Sequence, residues 1–165
     1  MAVIAAAVVL SLGVYAAYVM FINGFVFDVY RDHSELTLDL SMYDIKDTIT
    51  EYYQLPPESG CEYVGEMINE IIAVVEYQLN GKLLLFTQNA GDISESGFAV
   101  NTENAELYEA SVNGNDGFIV IRHKENEDDS TSIYWAMDGY LFELSTAALS
   151  QDELIQLAET VKVRD

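Results

Sequence analysis

Two-residue turns constrain this chain more than any other feature. Asn80-Gly81 stands between AVVEYQL and KLLLFTQ, and Asp138-Gly139 stands between SIYWAM and YLFEL. The stretch NGNDG at residues 113–117 separates LYEASV from FIVIRH. A tight type I′ turn needs positive φ at both central residues, a conformation that Asn, Asp and Gly tolerate and most residues do not. Each pair therefore predicts an antiparallel hairpin between apolar runs. CEYVGEM and IIAVVEYQL, with Asn69 near their turn, add a further pair. About six strands in sequence-adjacent pairs make an antiparallel meander.

Something apolar must cover such a sheet, and the C-terminus supplies it. Ser150 and Glu153 have the spacing of a capping box, in which the hydroxyl and the carboxylate satisfy orphan amides of the first turn. Leu154, Ile155, Leu157, Ala158 and Val161 form one apolar stripe, and Lys162 and Arg164 follow where a helix dipole favours cations. The expected fold is α+β: a meander of about six strands packed by this helix. A second helix is expected within SMYDIKDTITEYYQLPP, from Met42, Ile45, Ile49, Tyr52 and Tyr53 at helical spacing. Ser41 would cap it and Pro56-Pro57 would stop it, against the β-branched run Thr48-Ile49-Thr50.

Residues 1–27 carry no charged side chain. A helix rising roughly 1.5 Å per residue crosses a bilayer core of about 30 Å in about 20 residues, so this stretch is long enough for a transmembrane anchor. Tyr15, Tyr18 and the Phe residues between 21 and 27 would supply an aromatic belt. A secretory signal peptide is the rival reading, but the basic start and short apolar core it needs are missing. The expected organisation is an anchor over residues 1–27, a juxtamembrane connector over 28–40 and an extracytoplasmic domain over 41–165. Arg31 and Lys46 after the segment, with no basic residue before it, would by charge alone place the domain in the cytoplasm.

All 28 acidic and 7 basic residues follow the apolar run, so the polar part carries the whole net charge of −21. Such a surface repels nucleic-acid phosphates and anionic head groups. One cysteine, Cys61, builds neither a disulfide framework nor a tetrahedral cysteine site. His33 and His123 are the only histidines, and neither sits in a triad, zincin or phosphate-loop motif. No catalytic residue, cofactor or metal ligand is therefore assigned. The acidic stretches at 113–117 and 125–130 have hard-cation donors, but the first is too short for an EF-hand loop and the second is a plain charge run. Trp135, Tyr140 and Phe142 alternate along predicted strands. They read first as core, and second as the lining of an apolar pocket or interaction surface if the sheet curves away from its helix.

The order of four stretches resembles a known family. YQLPPESGCEYV, VNGNDGFIV, SIYWAMDGYLFELST and LSQDELIQLAETV are similar, in that order, to segments of the bacterial domain-of-unknown-function family 4367. The similarity spans roughly residues 51–163. It implies a domain on the outer side of a bacterial membrane, often behind one span, and no established activity. More distantly, the strand pair followed by a helix is similar to the endings of periplasmic sigma-regulator and lipoprotein-carrier domains. The expected function is a membrane-tethered sensing or protein-interaction module without catalysis, accessory to envelope signalling. Its membrane contact would run through residues 1–27 and its protein partner is unspecified. The alternative is a carrier of a lipid or other apolar ligand.

Overall fold

The computed structural model describes residues 44–91, 105–125 and 128–164, together with the strand backbone at 18–22, 25–29, 34–38 and 99–101. Its centre is a seven-stranded antiparallel sheet. Strand β5 (Glu62–Ile68) pairs β6 (Ile72–Leu79), which pairs β7 (Lys82–Asn89). A second run, β9 (Ala105–Val112), β10 (Asn115–Arg122), β11 (Ser130–Met137) and β12 (Tyr140–Thr146), follows in order. The spatial order is β5-β6-β7-β12-β11-β10-β9.

One uninterrupted meander was expected, and this order corrects it. The chain leaves β7, starts again at the far edge with β9 and works back until β12 seals against β7. Apolar content explains the middle position of the late strands. Every residue from Thr131 to Ala136 is buried, so β11 cannot be an edge strand.

The three turns behave as their chemistry demands. Asn80 and Gly81 have φ of 52° and 77°, Asn113 and Gly114 51° and 79°, and Asp138 and Gly139 54° and 80°. Positive φ at both positions is the type I′ geometry, and it fixes the pairings Leu79↔Lys82, Val112↔Asn115 and Met137↔Tyr140. The β5–β6 connection uses Asn69 instead, whose side-chain oxygen accepts the amides of Ile71 and Ile72, both at 2.9 Å.

Helix α1 (Gln151–Ala158) lies against β9 and β11 and buries Leu154, Leu157 and Ala158. At its start Glu153 Oε2 accepts the Ser150 amide (2.9 Å) and hydroxyl (2.6 Å). The helix ends sooner than its apolar stripe suggests. Lys162 and Arg164 do not sit on its last turn: Lys162–Val163 is a short strand, β13, antiparallel to β4 (Tyr53–Gln54). The Arg164 amide donates to Tyr52 O at 2.7 Å, and the two cations pair with Glu58 and Glu66.

The helix expected near residue 45 is absent from the described part of that segment, which starts at residue 44. Residues 44–52 run irregularly into β4, because side chains of the sheet take their backbone groups. Tyr140 Oη accepts the amides of Thr50 (3.1 Å) and Glu51 (3.3 Å). Gln88 accepts the Tyr53 amide (3.0 Å) and donates to Glu51 O (2.8 Å), and Tyr77 Oη accepts the Leu55 amide (3.2 Å). Lys46 and Ile49 amides bond Gly139 O and Glu70 O. With these partners a helix would gain nothing, and the β-branched run disfavours one.

The anchor expected over residues 1–27 lies mostly outside the described residues, and its described part is strand. β1 (Tyr18–Ile22) pairs β2 (Phe25–Val29) antiparallel, β2 pairs β3 (Ser34–Leu38), and β3 pairs β8 (Ala99–Asn101) in a separate four-stranded sheet. Strands of Val, Ile, Phe and Tyr have the composition that favours a pleated sheet. Among the described residues no helix is long and apolar enough to cross a membrane, a statement that does not touch crossing by strands.

Candidate functional site

Trp135, Tyr140 and Phe142 come together inside the core. All three are fully buried. Cross-strand pairing places Trp135 opposite Phe142, and their rings stack at 5.2 Å. Tyr53 from β4 packs edge-on against Phe142 (5.1 Å) and Tyr140 (6.0 Å). Tyr53 and Leu55, together with Leu154 and Leu157 of α1, belong to the same buried cluster, so the aromatic group is roofed from two sides. Trp135 Nε1 is the one buried side-chain polar atom among the described residues without a hydrogen-bond partner. Leaving such a donor unmade costs about 1–3 kcal/mol.

A polar cluster that the sequence did not reveal holds the roof on. Tyr140 Oη exchanges a hydrogen bond with Thr50 Oγ1 (3.1 Å) and accepts from Lys46 Nζ (3.3 Å), whose ammonium also lies 4.4 Å from the ring centre. Burial alone would raise the Tyr140 hydroxyl's pKa; the Thr50 side chain and amide, Lys46 and the Glu51 amide outweigh it and hold the group below the ordinary tyrosine value. Tyr53 donates to Asp138 at 2.8 Å, and its pKa is pushed well up by burial first and Asp138 second. Tyr140→Phe would orphan two backbone amides, and we expect a loss of about 2 kcal/mol in urea unfolding with a secondary-structure spectrum unchanged.

Beside this cluster, the tips of the β9–β10 and β11–β12 hairpins border an open cleft of ≈ 390 Å³ that carries Asp44, Asp116 and Asp138. Among the described residues no three His, Cys, Asp or Glu side chains are placed to hold a metal ion. In the stretch at 113–117, Asn113 Nδ2 donates to Glu159 O and Asn115 Nδ2 to Val112 O, both at 3.0 Å, as turn and cap bonds. In the stretch at 125–130, Asp128 pairs with Lys82 (2.5 Å) and Asp129 with His123 (2.9 Å).

His123 is exposed, between Asp129 and Glu106, which raise its pKa, the Asp129 hydrogen bond most. His33 lies outside the described residues. Cys61 is half-buried, and burial raises its thiol further from reactive thiolate.

Across β11 and β12, on the face away from α1, Tyr134 Oη donates to Glu143 at 2.8 Å. Arg122 reaches Ser132 at 3.5 Å, and Ser132 and Ser145 hydroxyls meet at 2.8 Å. Burial raises the Glu143 pKa, and the Tyr134 bond and the Arg122 charge draw it back only in part. A carboxyl whose folded pKa is raised favours the fold when protonated. That contribution is complete below the ordinary carboxylate value and is lost as pH rises through the folded one. Glu143→Gln should therefore be more stable than the parent at neutral pH and should lack this decline, as unfolding midpoints from pH 4 to 8 would show.

The geometry defines an α+β domain: an antiparallel sheet with one closed aromatic core, backed by a short helix and a two-stranded ribbon. The chain belongs to the family described as Domain of unknown function (DUF4367), whose model matches residues 41–161. No curated protein and no solved structure matches it.

Proposed function

We propose that the domain is a non-catalytic sensing or protein-interaction module on the outer side of a membrane, accessory to envelope signalling, with edge strand β5 as its contact. One observation carries this reading: β5 ends the seven-stranded sheet, and Tyr63, Val64 and Met67 on it are 55%, 56% and 61% exposed. A free strand edge with apolar side chains is a template for an added strand. A bulge between Tyr63 and Gly65 locally breaks the ladder and limits pairing to part of the edge. Glu62 opens the strand, Glu66 is already held by Arg164, and the net charge is −21, so the occupant is an extended, basic segment of a partner protein.

The carrier reading would require the aromatic core to open, and Tyr53, Leu55 and α1 fill that space. The apolar stretch that opens the chain supplies the membrane attachment, with Tyr18–Ile22 and Phe25–Val29 on its domain side. Protease protection of the full chain in sealed vesicles tests the side on which the domain lies.

Copurification from detergent-solubilised membranes, run beside the double variant Val64→Lys, Met67→Lys, tests the contact. A partner held by the parent and lost at least tenfold by the variant is expected. No partner, or the same partners on both proteins, overturns the proposal.

A further inference from the structure

The central strands are buried on both faces, although α1 and the β4–β13 ribbon cover only one. Toward α1 the strands β10–β12 present Ile119, Ile133, Trp135, Phe142 and Leu144. Pleating sends their neighbours Phe118, Val120, Tyr134 and Leu141 to the other face. Those four are 0%, 0%, 2% and 0% exposed. A sheet face in contact with water does not reach such values. The shielding is local. On the same face, over β6 and β7, Val74 and Leu85 are half-buried and Glu76 is exposed.

We infer that the four-stranded sheet β1-β2-β3-β8 is the second layer of the domain, lying on the β10–β12 face opposite α1. The burial chooses the face, and chain connectivity brings the sheet within reach of it. β8 ends at Asn101 and β9 begins at Ala105, so four Cα steps of 3.8 Å allow at most about 15 Å between them. Ala105 pairs with Arg122 at the end of β10, and Leu107 pairs with Val120 on the shielded face. β8 in turn holds β3 through Glu35↔Asn101, Leu36↔Val100 and Thr37↔Ala99, and β2 and β1 follow.

Composition gives the driving force. β1 reads YVMFI and β2 FVFDV, and a sheet of such strands needs a dry surface to lie on. Stacked sheets sit about 10 Å apart, close enough to exclude water from Phe118 and Tyr134. The apolar N-terminal stretch thus has a protein surface to occupy from Tyr18 onward, and the Tyr134–Glu143 pair becomes an interlayer contact instead of a surface one.

Photo-crosslinking of the full chain, dilute in lipid vesicles, tests this. The variant Phe118→p-benzoylphenylalanine places the reactive group at the centre of the shielded face. Leu107→p-benzoylphenylalanine places it at the half-buried rim, where the fold tolerates it. Irradiation and peptide mass mapping should join both positions, within one chain, to peptides from residues 18–38 or 99–101. Links only to lipid or to a second chain, links to α1, or no link at the rim position overturn the assignment.

Discussion

Leu157→Asp is expected to destabilise the domain by about 4 kcal/mol or more, a large share of the roughly 5–15 kcal/mol that keeps a domain folded. Leu157 is 8% exposed, between the fully buried Leu154 and Ala158. Losing its side chain from a packed contact costs about 2–5 kcal/mol, and the carboxylate adds the cost of leaving water without a partner. Leu157→Met, similar in volume, should lose less than about 1.5 kcal/mol. Urea midpoints of the two variants check the claim; an unchanged midpoint for the aspartate would mean that α1 does not close the core.

Gly117→Ala should be the second severe change, at about 3 kcal/mol. Gly117 pairs with Trp135, and a Cβ there would lie 2.4 Å from Tyr134 O and 3.2 Å from Trp135 Cβ. The nearest atom belongs to backbone, so no rotamer relieves the contact, and β10 must move away from β11. Gly65 on β5 is the control, since nothing lies within 4 Å of the Cβ it would gain. Gly65→Ala should be neutral or stabilising by up to about 1 kcal/mol, because a strand glycine gives up the most backbone freedom on folding. Thermal unfolding of both variants separates the two cases. Equal losses would mean that Gly117 is placed wrongly.

Turn chemistry carried most of the legible fold. Once Asp138-Gly139 is read as a two-residue turn, counting outward pairs Trp135 with Phe142 and Tyr134 with Glu143, so the aromatic stack and the half-buried carboxyl were both within reach. Asn23-Gly24 is the same dipeptide as Asn80-Gly81 and stands between β1 and β2. The apolar run around it has the length of a membrane helix as well as the composition of strands, so the dipeptide alone does not decide between them. The union of β7 with β12 was not legible, since no local pattern marks which distant strands become neighbours. Nor was the irregular course of residues 44–52, whose backbone groups find partners on Tyr140, Gln88 and the loops near Glu70 and Gly139. Helical spacing of apolar residues is ambiguous when a segment lies flat on a core, since both arrangements bury the same side chains.

The seam between β7 and β12 also governs when this protein can exist during synthesis. Leu84 must wait for Thr146, and Asn89 for Leu141. Until that late stretch leaves the ribosome, β5–β7 is a three-stranded fragment with Leu84 and Phe86 uncovered and both margins open. Non-local pairing of this kind folds slowly and leaves nascent chains prone to aggregation. A chain that stalls before Tyr140 would therefore be a substrate for chaperones or proteases, never a shortened but working domain.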